Sequence, residues 1–87
     1  MVGALRLEVP KYNGFDYTSA KLKTLGLFSK KYGRFEFRAR LPQGQGYWPA
    51  LWMMPRDSVY GGWAASGEID VMENRGSTPT TTGGTIH

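Results

Sequence analysis

Three carboxylates stand close together in the segment Ser66–Asn74, which reads SGEIDVMEN. The acids are Glu68, Asp70 and Glu73, and the residues between them are apolar. The apolar residues predict a buried strand, in which an unpaired carboxylate is costly to desolvate. Acids kept in such a place are typical of acid–base or nucleophilic chemistry.

The geometry of a strand decides whether these acids can meet. Side chains alternate along a strand, so Glu68 and Asp70 share one face. Strict alternation would send Glu73 to the opposite, apolar face, where a lone carboxylate is expensive. A β-bulge near Val71–Met72 would add one residue to the strand and return Glu73 to the first face. We therefore predict a bulge at this position.

Two glutamates on one face can act on a glycosidic bond. With the bulge, the Cα atoms of Glu68 and Glu73 lie roughly 13 Å apart, at about 3.3 Å per residue. Side chains that lean together would bring the carboxyl groups near the ~5–5.5 Å of a retaining glycosidase, whereas an inverting enzyme needs about 6.5–9.5 Å. One acid would attack the anomeric carbon, and the other would protonate the leaving oxygen and then activate water. Asp70 would tune both by hydrogen bonding and charge repulsion.

A plainer interpretation of the same spacing is an edge strand with solvated acids. Acidic residues are common on exposed strand faces, and three arginines precede the segment as possible ion-pair partners. They are Arg34, Arg38 and Arg40. The spacing by itself leaves both interpretations open.

Alternating apolar residues predict the strands that must hold the acids. The clearest is YGRFEFRARLP, in which Phe35, Phe37, Ala39 and Leu41 share one face. Other short strands are predicted at Ala4–Val9, within Tyr47–Pro55, over Gly67–Asn74 and at the terminal TIH, with RDSVYGGWAAS and RGSTPTTTGG as loops. Short strands broken by Gly and Pro are typical of an antiparallel β-sandwich or barrel.

Composition narrows the class of protein. The 87 residues suffice for one domain, and the absence of cysteine excludes disulfides and thiolate metal sites. The formal charge is +4, but the basic residues are spread along the chain, which favours solvated strand faces over a nucleic-acid surface. No apolar run approaches the roughly 20 residues of a membrane span, and no signal-peptide pattern is present.

SGEIDVMEN resembles the active-site strand of glycoside hydrolase family 16, whose pattern is Glu, aliphatic, Asp, one or two residues, then Glu. The segments YTSAKLKT, KYGRFEFRARLPQGQGYWPALWMMP and GGWAASGEIDVMENRG resemble its laminarinase-like endo-β-1,3-glucanase branch. The resemblance implies an all-β, antiparallel jelly roll of the concanavalin A-like type. It also implies that Glu68 is the nucleophile, Asp70 the assisting carboxylate and Glu73 the general acid/base.

The same resemblance implies further site residues. Trp48, Trp63 and Asn13 fall where family members contact glucose rings, and His87 resembles a histidine at the rim of the cleft. Trp52, within an apolar run, is predicted to lie in the core. No cofactor is required by this chemistry, the spacing indicates no metal site, and the structural calcium that many members carry cannot be mapped to residues here.

The chain departs from the family in length, because catalytic domains of the family run to well over twice 87 residues. We therefore expect residues 1–87 to form a single partial jelly-roll domain. It would be inactive alone, or would self-associate as a homo-oligomer that completes its open sheet edges. The resemblance implies an extracellular hydrolase of β-glucan. The alternative is a non-catalytic glucan-binding module or an inactive piece of such an enzyme.

Overall fold

The computed structural model describes residues 19–87, which form one antiparallel sheet and no helix. Its strands are β1 (Ala50–Met53), β2 (Ile69–Asn74) and β3 (Thr82–Ile86), in the order β1-β2-β3. The acid-bearing strand is therefore central, with one neighbour on each side. The all-β, antiparallel prediction is confirmed. The strand predicted at Ala4–Val9 lies outside the described residues.

Local sequence accounts for the limits of these strands. Pro49 precedes β1 and Pro55 follows it closely, and proline cannot donate a ladder hydrogen bond. The segment between β1 and β2 is a loop, as predicted. β3 begins at Thr82, so the predicted loop RGSTPTTTGG is wrong in its last three residues.

The glycines of β3 explain that error. Gly83 and Gly84 suggest a turn from sequence alone. In the structure a Cβ on Gly84 would lie 3.4 Å from the carbonyl oxygen of Asp70 and 3.6 Å from that of Val71. The strand thus runs close to the backbone of β2, where a residue without a side chain fits most easily.

The clearest strand of the sequence prediction is not a strand in the structure. The stretch 34–41 makes no ladder with any other described segment. Its alternation is nevertheless real, since Phe37, Ala39 and Leu41 line one cavity. The opposite wall consists of sheet side chains, namely Leu51, Val71 and Met72. The alternation therefore identified an apolar face, but a strand also needs a hydrogen-bonded neighbour.

The sheet has two chemically different faces. One carries Leu51, Val71 and Met72, and the other carries Asp70 together with its register partner Trp52. No hydrophobic side chain among residues 19–87 is fully buried, and the buried side chains are those of Asp70 and Asn74. Within this part of the chain no helix could cross a lipid bilayer.

Candidate active site

The register of β2 contains the predicted bulge. Against β1, Leu51 pairs with Met72 and Trp52 pairs with Asp70, so Val71 has no partner. Against β3, the pairing moves from Asp70–Thr85 to Glu73–Gly83, so two residues of β2 oppose the single residue Gly84. One extra residue in β2 is the definition of a bulge.

The bulge sets the direction of Glu73. Cross-strand partners point to the same face, and Glu73 pairs with Ala50 while Asp70 pairs with Trp52. Ala50 and Trp52 are two residues apart on β1 and therefore share a face. Val71 and Met72 both line the apolar cavity on the other side. Asp70 and Glu73 consequently face the same way.

Asp70 is the most deeply placed of the three acids, with 5% of its surface exposed. Its Oδ2 lies 2.9 Å from Nε2 of His87, which is half-exposed at the end of β3. An ionised carboxylate only accepts hydrogen bonds, so the Nε2–H of His87 is the donor. The backbone N–H of His87 also donates to the carbonyl oxygen of Glu68, at 2.9 Å. These two bonds hold His87 beside the acids.

Trp63 connects Glu68 with His87. Its Nε1–H donates to Oε2 of Glu68, and its ring lies 5.7 Å from that of His87, tilted by 52°. The indole is 69% exposed, so most of its ring is open to a ligand. A hydrogen bond to an ionised acceptor is stronger than one between neutral groups, which favours a fixed position for the Glu68 carboxylate.

Trp48 has the corresponding position at the other glutamate. Its Nε1–H donates to Oε1 of Glu73 at 3.2 Å, and 65% of its surface is exposed. Each glutamate thus has one indole donor, and each indole presents an open ring. Rings of this kind stack on the C–H faces of sugars. Asn13, the remaining predicted contact, lies outside the described residues.

Trp52 was predicted to lie in the core, and that prediction is wrong. Its register partner is Asp70, which places it on the acidic face, where it is half-buried. The ammonium group of Lys21 lies 4.6 Å from the centre of its ring, a cation–π distance. The pairing of β1 with β2 decides this position, and local sequence does not indicate that pairing.

The interpretation of solvated acids paired with arginine is not supported in the described part of the chain. Arg34 pairs with Glu36, its near neighbour in sequence. Glu68, Asp70 and Glu73 instead contact two indoles and an imidazole. Such partners fix the orientation of the carboxylates.

The cluster also has the donor set of a metal site. One ligand atom from each of Glu68, Asp70 and His87 lies within 4.8 Å of the other two. The sequence spacing gave no indication of this, because His87 is 17 residues from Asp70 and reaches it only through the pairing of β2 with β3.

An antiparallel sheet that carries two glutamates and an aspartate along one bulged strand is the arrangement expected of a β-sandwich glycoside hydrolase. Comparison with known sequences agrees, since the model of "Glycosyl hydrolases family 16" matches residues 2–87. The chain belongs to this family. The resemblance to family 16 is thereby confirmed.

The relatives found include hydrolases and a binding protein. Glucan endo-1,3-beta-glucosidase A1 of Niallia circulans is 65% identical over 82% of this chain and 10% of its own length. The beta-glucanase of Rhodothermus marinus is 54% identical over 87% of this chain and 27% of its own length. A beta-1,3-glucan-binding protein of Penaeus monodon is 55% identical over 69% of this chain and 16% of its own length. The chain therefore spans about a tenth to about a quarter of these proteins. No solved structure matches it.

Proposed function

We propose that this site is endo-acting: it hydrolyses internal bonds of a β-1,3-glucan, with retention of the anomeric configuration. Membership of family 16 supports glycoside hydrolysis, and the named activities of the similar glucanases support a glucan substrate. The observation that carries the proposal is the bulge in β2, because it turns Glu73 to the face of Asp70.

In the first step Glu68 attacks the anomeric carbon and the bond to the leaving oxygen breaks. Glu73 supplies the proton that this oxygen takes, so the aglycone departs as an alcohol and a glycosyl–Glu68 ester remains. In the second step Glu73, now a carboxylate, takes a proton from water while that water attacks the same carbon. Glu68 leaves as a carboxylate, and two inversions give net retention.

The neighbours of the two glutamates support these roles. Trp63 donates to Glu68 and Trp48 to Glu73, so each carboxyl group has a donor that orients it. Asp70 lies between them in sequence and is held by His87. The substrate would be neutral and gripped by the open indole rings. The separation of the two carboxyl groups stays a prediction, at ~5–5.5 Å.

The decisive experiment is release of reducing sugar from laminarin by the purified 87-residue chain and by Glu68→Gln. Glu36→Gln is the matched control, because Glu36 is an exposed acid paired with Arg34 away from the site. We expect release by the wild type and the control, and none by Glu68→Gln. Equal release by all three proteins would contradict the proposal.

Rescue by azide assigns the two roles separately. In Glu73→Ala the ester on Glu68 can still form from a substrate with a good leaving group, and azide then attacks it to give a β-glycosyl azide. In Glu68→Ala azide attacks the substrate directly and gives the α-glycosyl azide. Proton NMR distinguishes these products. The reverse assignment of products would exchange the roles of the two glutamates.

The second candidate function is glucan binding without turnover. It is favoured by the similarity to a beta-1,3-glucan-binding protein and by the exposed indole rings. Sedimentation with insoluble β-1,3-glucan, without release of sugar, would support it. Binding by ring stacking should change little between about 50 and 500 mM salt, whereas a nucleic-acid ligand would be lost steeply over that range.

We also propose that the chain self-associates through its sheet, that it needs no cofactor for hydrolysis, and that it acts outside the cell. Association is supported by the outer strands β1 and β3, each of which has one paired edge within residues 19–87, and by the exposed side chains of Ile69 and Val71 on β2. The two-carboxylate mechanism supports the absence of a cofactor, since it uses side chains alone. An extracellular place is supported by the size of the substrate, because a polysaccharide does not cross a membrane.

A further inference from the structure

The cluster of Glu68, Asp70 and His87 combines two kinds of ligand. Carboxylate oxygen and imidazole nitrogen together suit Zn²⁺ and similar transition ions, whereas Mg²⁺ and Ca²⁺ prefer oxygen alone. Glu68 directly precedes β2, Asp70 lies near the start of that strand, and His87 directly follows β3. The backbone pairing of these two strands brings the three side chains together.

The geometry is close to that of a bound site. The three ligand atoms lie within 4.8 Å of one another, and the Asp70–His87 pair is already at 2.9 Å. Two ligands at about 2.1 Å from a tetrahedral Zn²⁺ are about 3.4 Å apart. Shifts of about 1 Å in side chains would therefore complete three-ligand coordination and leave a fourth position for water.

The surroundings both support and limit such binding. Trp63 donates to Glu68 and packs beside the His87 ring, and a neighbour that orients ligands in this way strengthens metal binding. Asp70 is almost fully buried, so it is poorly hydrated and gains from a cation partner. Lys30 and Lys31 line the same cavity as Glu68 and His87, and their charges oppose a cation.

We propose that Glu68, Asp70 and His87 form a binding site for a divalent transition-metal ion of the Zn²⁺ type. The ion takes the place of the proton on Nε2 of His87, which is released to solvent, and it bridges the imidazole to both carboxylates. Because the proposed nucleophile is then a metal ligand, its lone pair is no longer free to attack a sugar. The site would thus act as a reversible metal brake on the hydrolase.

Binding is measured by titrating the metal-free chain with ZnCl₂, using calorimetry and tryptophan fluorescence. Glu68→Gln and Glu73→Gln are a matched pair, since each neutralises one glutamate of the site but only Glu68 belongs to the cluster. We expect Zn²⁺ binding to weaken at least about tenfold in Glu68→Gln and His87→Gln, and to stay within about twofold in Glu73→Gln. Mg²⁺ should not compete. Circular dichroism confirms that each variant keeps its sheet.

Three results would overturn the proposed site. They are absence of Zn²⁺ binding in the wild type, equal binding in all four proteins, and competition by Mg²⁺ at the concentration of Zn²⁺. A second experiment, which tests inhibition of hydrolysis by the metal, rests on the proposed function. There Zn²⁺ should suppress sugar release from laminarin, and a chelator should restore it. Zinc bound at the cluster without inhibition would contradict the role of Glu68 as nucleophile and leave the metal site standing.

Discussion

At the scale of single residues, the indole groups do more than present flat surfaces. Trp63 contacts two members of the acidic cluster, as a donor to Glu68 and as a ring beside His87. Trp48 likewise donates a hydrogen bond from its indole to Glu73. The two tryptophans are therefore a natural pair for separating the parts played by the two glutamates.

Replacement of Trp63 by Phe keeps an aromatic ring but removes the donor to Glu68. A hydrogen bond to a charged group contributes about 1.5–3 kcal/mol when sheltered, and the exposure of Trp63 places its value near the lower end. We expect kcat/KM on laminarin to fall about tenfold. Initial rates of reducing-sugar release provide the measurement.

Trp48→Phe is the control for that change, because it removes the corresponding donor at Glu73. With an aryl β-glucoside that has a good leaving group, protonation of the leaving oxygen is not needed. The defect of Trp48→Phe in the first step should then shrink, while that of Trp63→Phe should persist. Identical behaviour of both variants on both substrates would argue against the assigned roles.

At the scale of elements, β2 must satisfy two requirements at once, one for its apolar side chains and one for its acids. Its apolar side chains must face the cavity under Phe37, and its acids must face the other way. With two residues between Asp70 and Glu73, only a bulge satisfies both. Val71 and Met72 both line the apolar cavity, so the bulge costs no burial of a carboxylate.

Deletion of Met72 should preserve the arrangement of the acids. The strand would then read Glu, Ile, Asp, Val, Glu, and regular alternation places all three acids on one face. Deletion of both Val71 and Met72 moves the last glutamate to the apolar face. We expect laminarin hydrolysis to persist in the single deletion and to vanish in the double one. Activity in a folded double deletion would show that the face of Glu73 does not matter.

The connection between β2 and β3 depends on Asn74. This side chain is 2% exposed, and its amide donates to the carbonyl oxygens of Pro79 and Thr81 at 3.3 and 2.7 Å. It thereby ties down the loop that leads into β3. The position of His87 depends on β3, so the loop and the acidic cluster are linked through that strand.

Asn74→Ala leaves the two loop carbonyls without their donor. We expect a loss of about 1–3 kcal/mol in the free energy of unfolding. Thr82→Val is the matched control, because Thr82 makes one exposed bond to the Glu73 carbonyl oxygen and Val keeps the branched shape. Urea denaturation at a fixed protein concentration measures both, since self-association would make stability depend on concentration. A larger loss for Thr82→Val would contradict this account.

At the scale of the whole molecule, residues 19–87 bury too little apolar surface to form a closed hydrophobic core. No hydrophobic side chain between residues 19 and 87 is fully buried, and the apolar face of the sheet is only partly covered by the stretch 34–41. Apolar surface of this kind drives association in water. The net charge of +4 is small enough that repulsion between copies would not prevent it.

Leu51→Lys should weaken this association, because it places a charge on the apolar face of β1. Leu27→Lys is the matched control, since Leu27 is 88% exposed in a turn away from the sheet. We expect the wild type and Leu27→Lys to elute as oligomers in size-exclusion chromatography with light scattering, and Leu51→Lys to shift toward the monomer. A monomeric wild type would refute association through this face.

Much of the site could be predicted from local sequence, because strand parity is a local property. The parity conflict at Glu73 predicted the bulge, and the apolar runs predicted where β1 and β2 lie. The alternation of Phe37, Ala39 and Leu41 correctly identified one apolar face. Prediction failed for the strand at 34–41, for the start of β3 and for Trp52, because each depends on which neighbour a segment pairs with.

The sequence by itself determined that the chain is all-β, that its acids lie on a bulged strand, and that it belongs with family 16. Only the tertiary structure decided that His87 meets Asp70, that Trp63 and Trp48 each donate to one glutamate, and that Trp52 lies on the acidic face. The physical reason is the separation along the chain of the residues involved. Side-chain alternation acts between adjacent residues, whereas these contacts form only after distant strands and loops are brought together by backbone pairing.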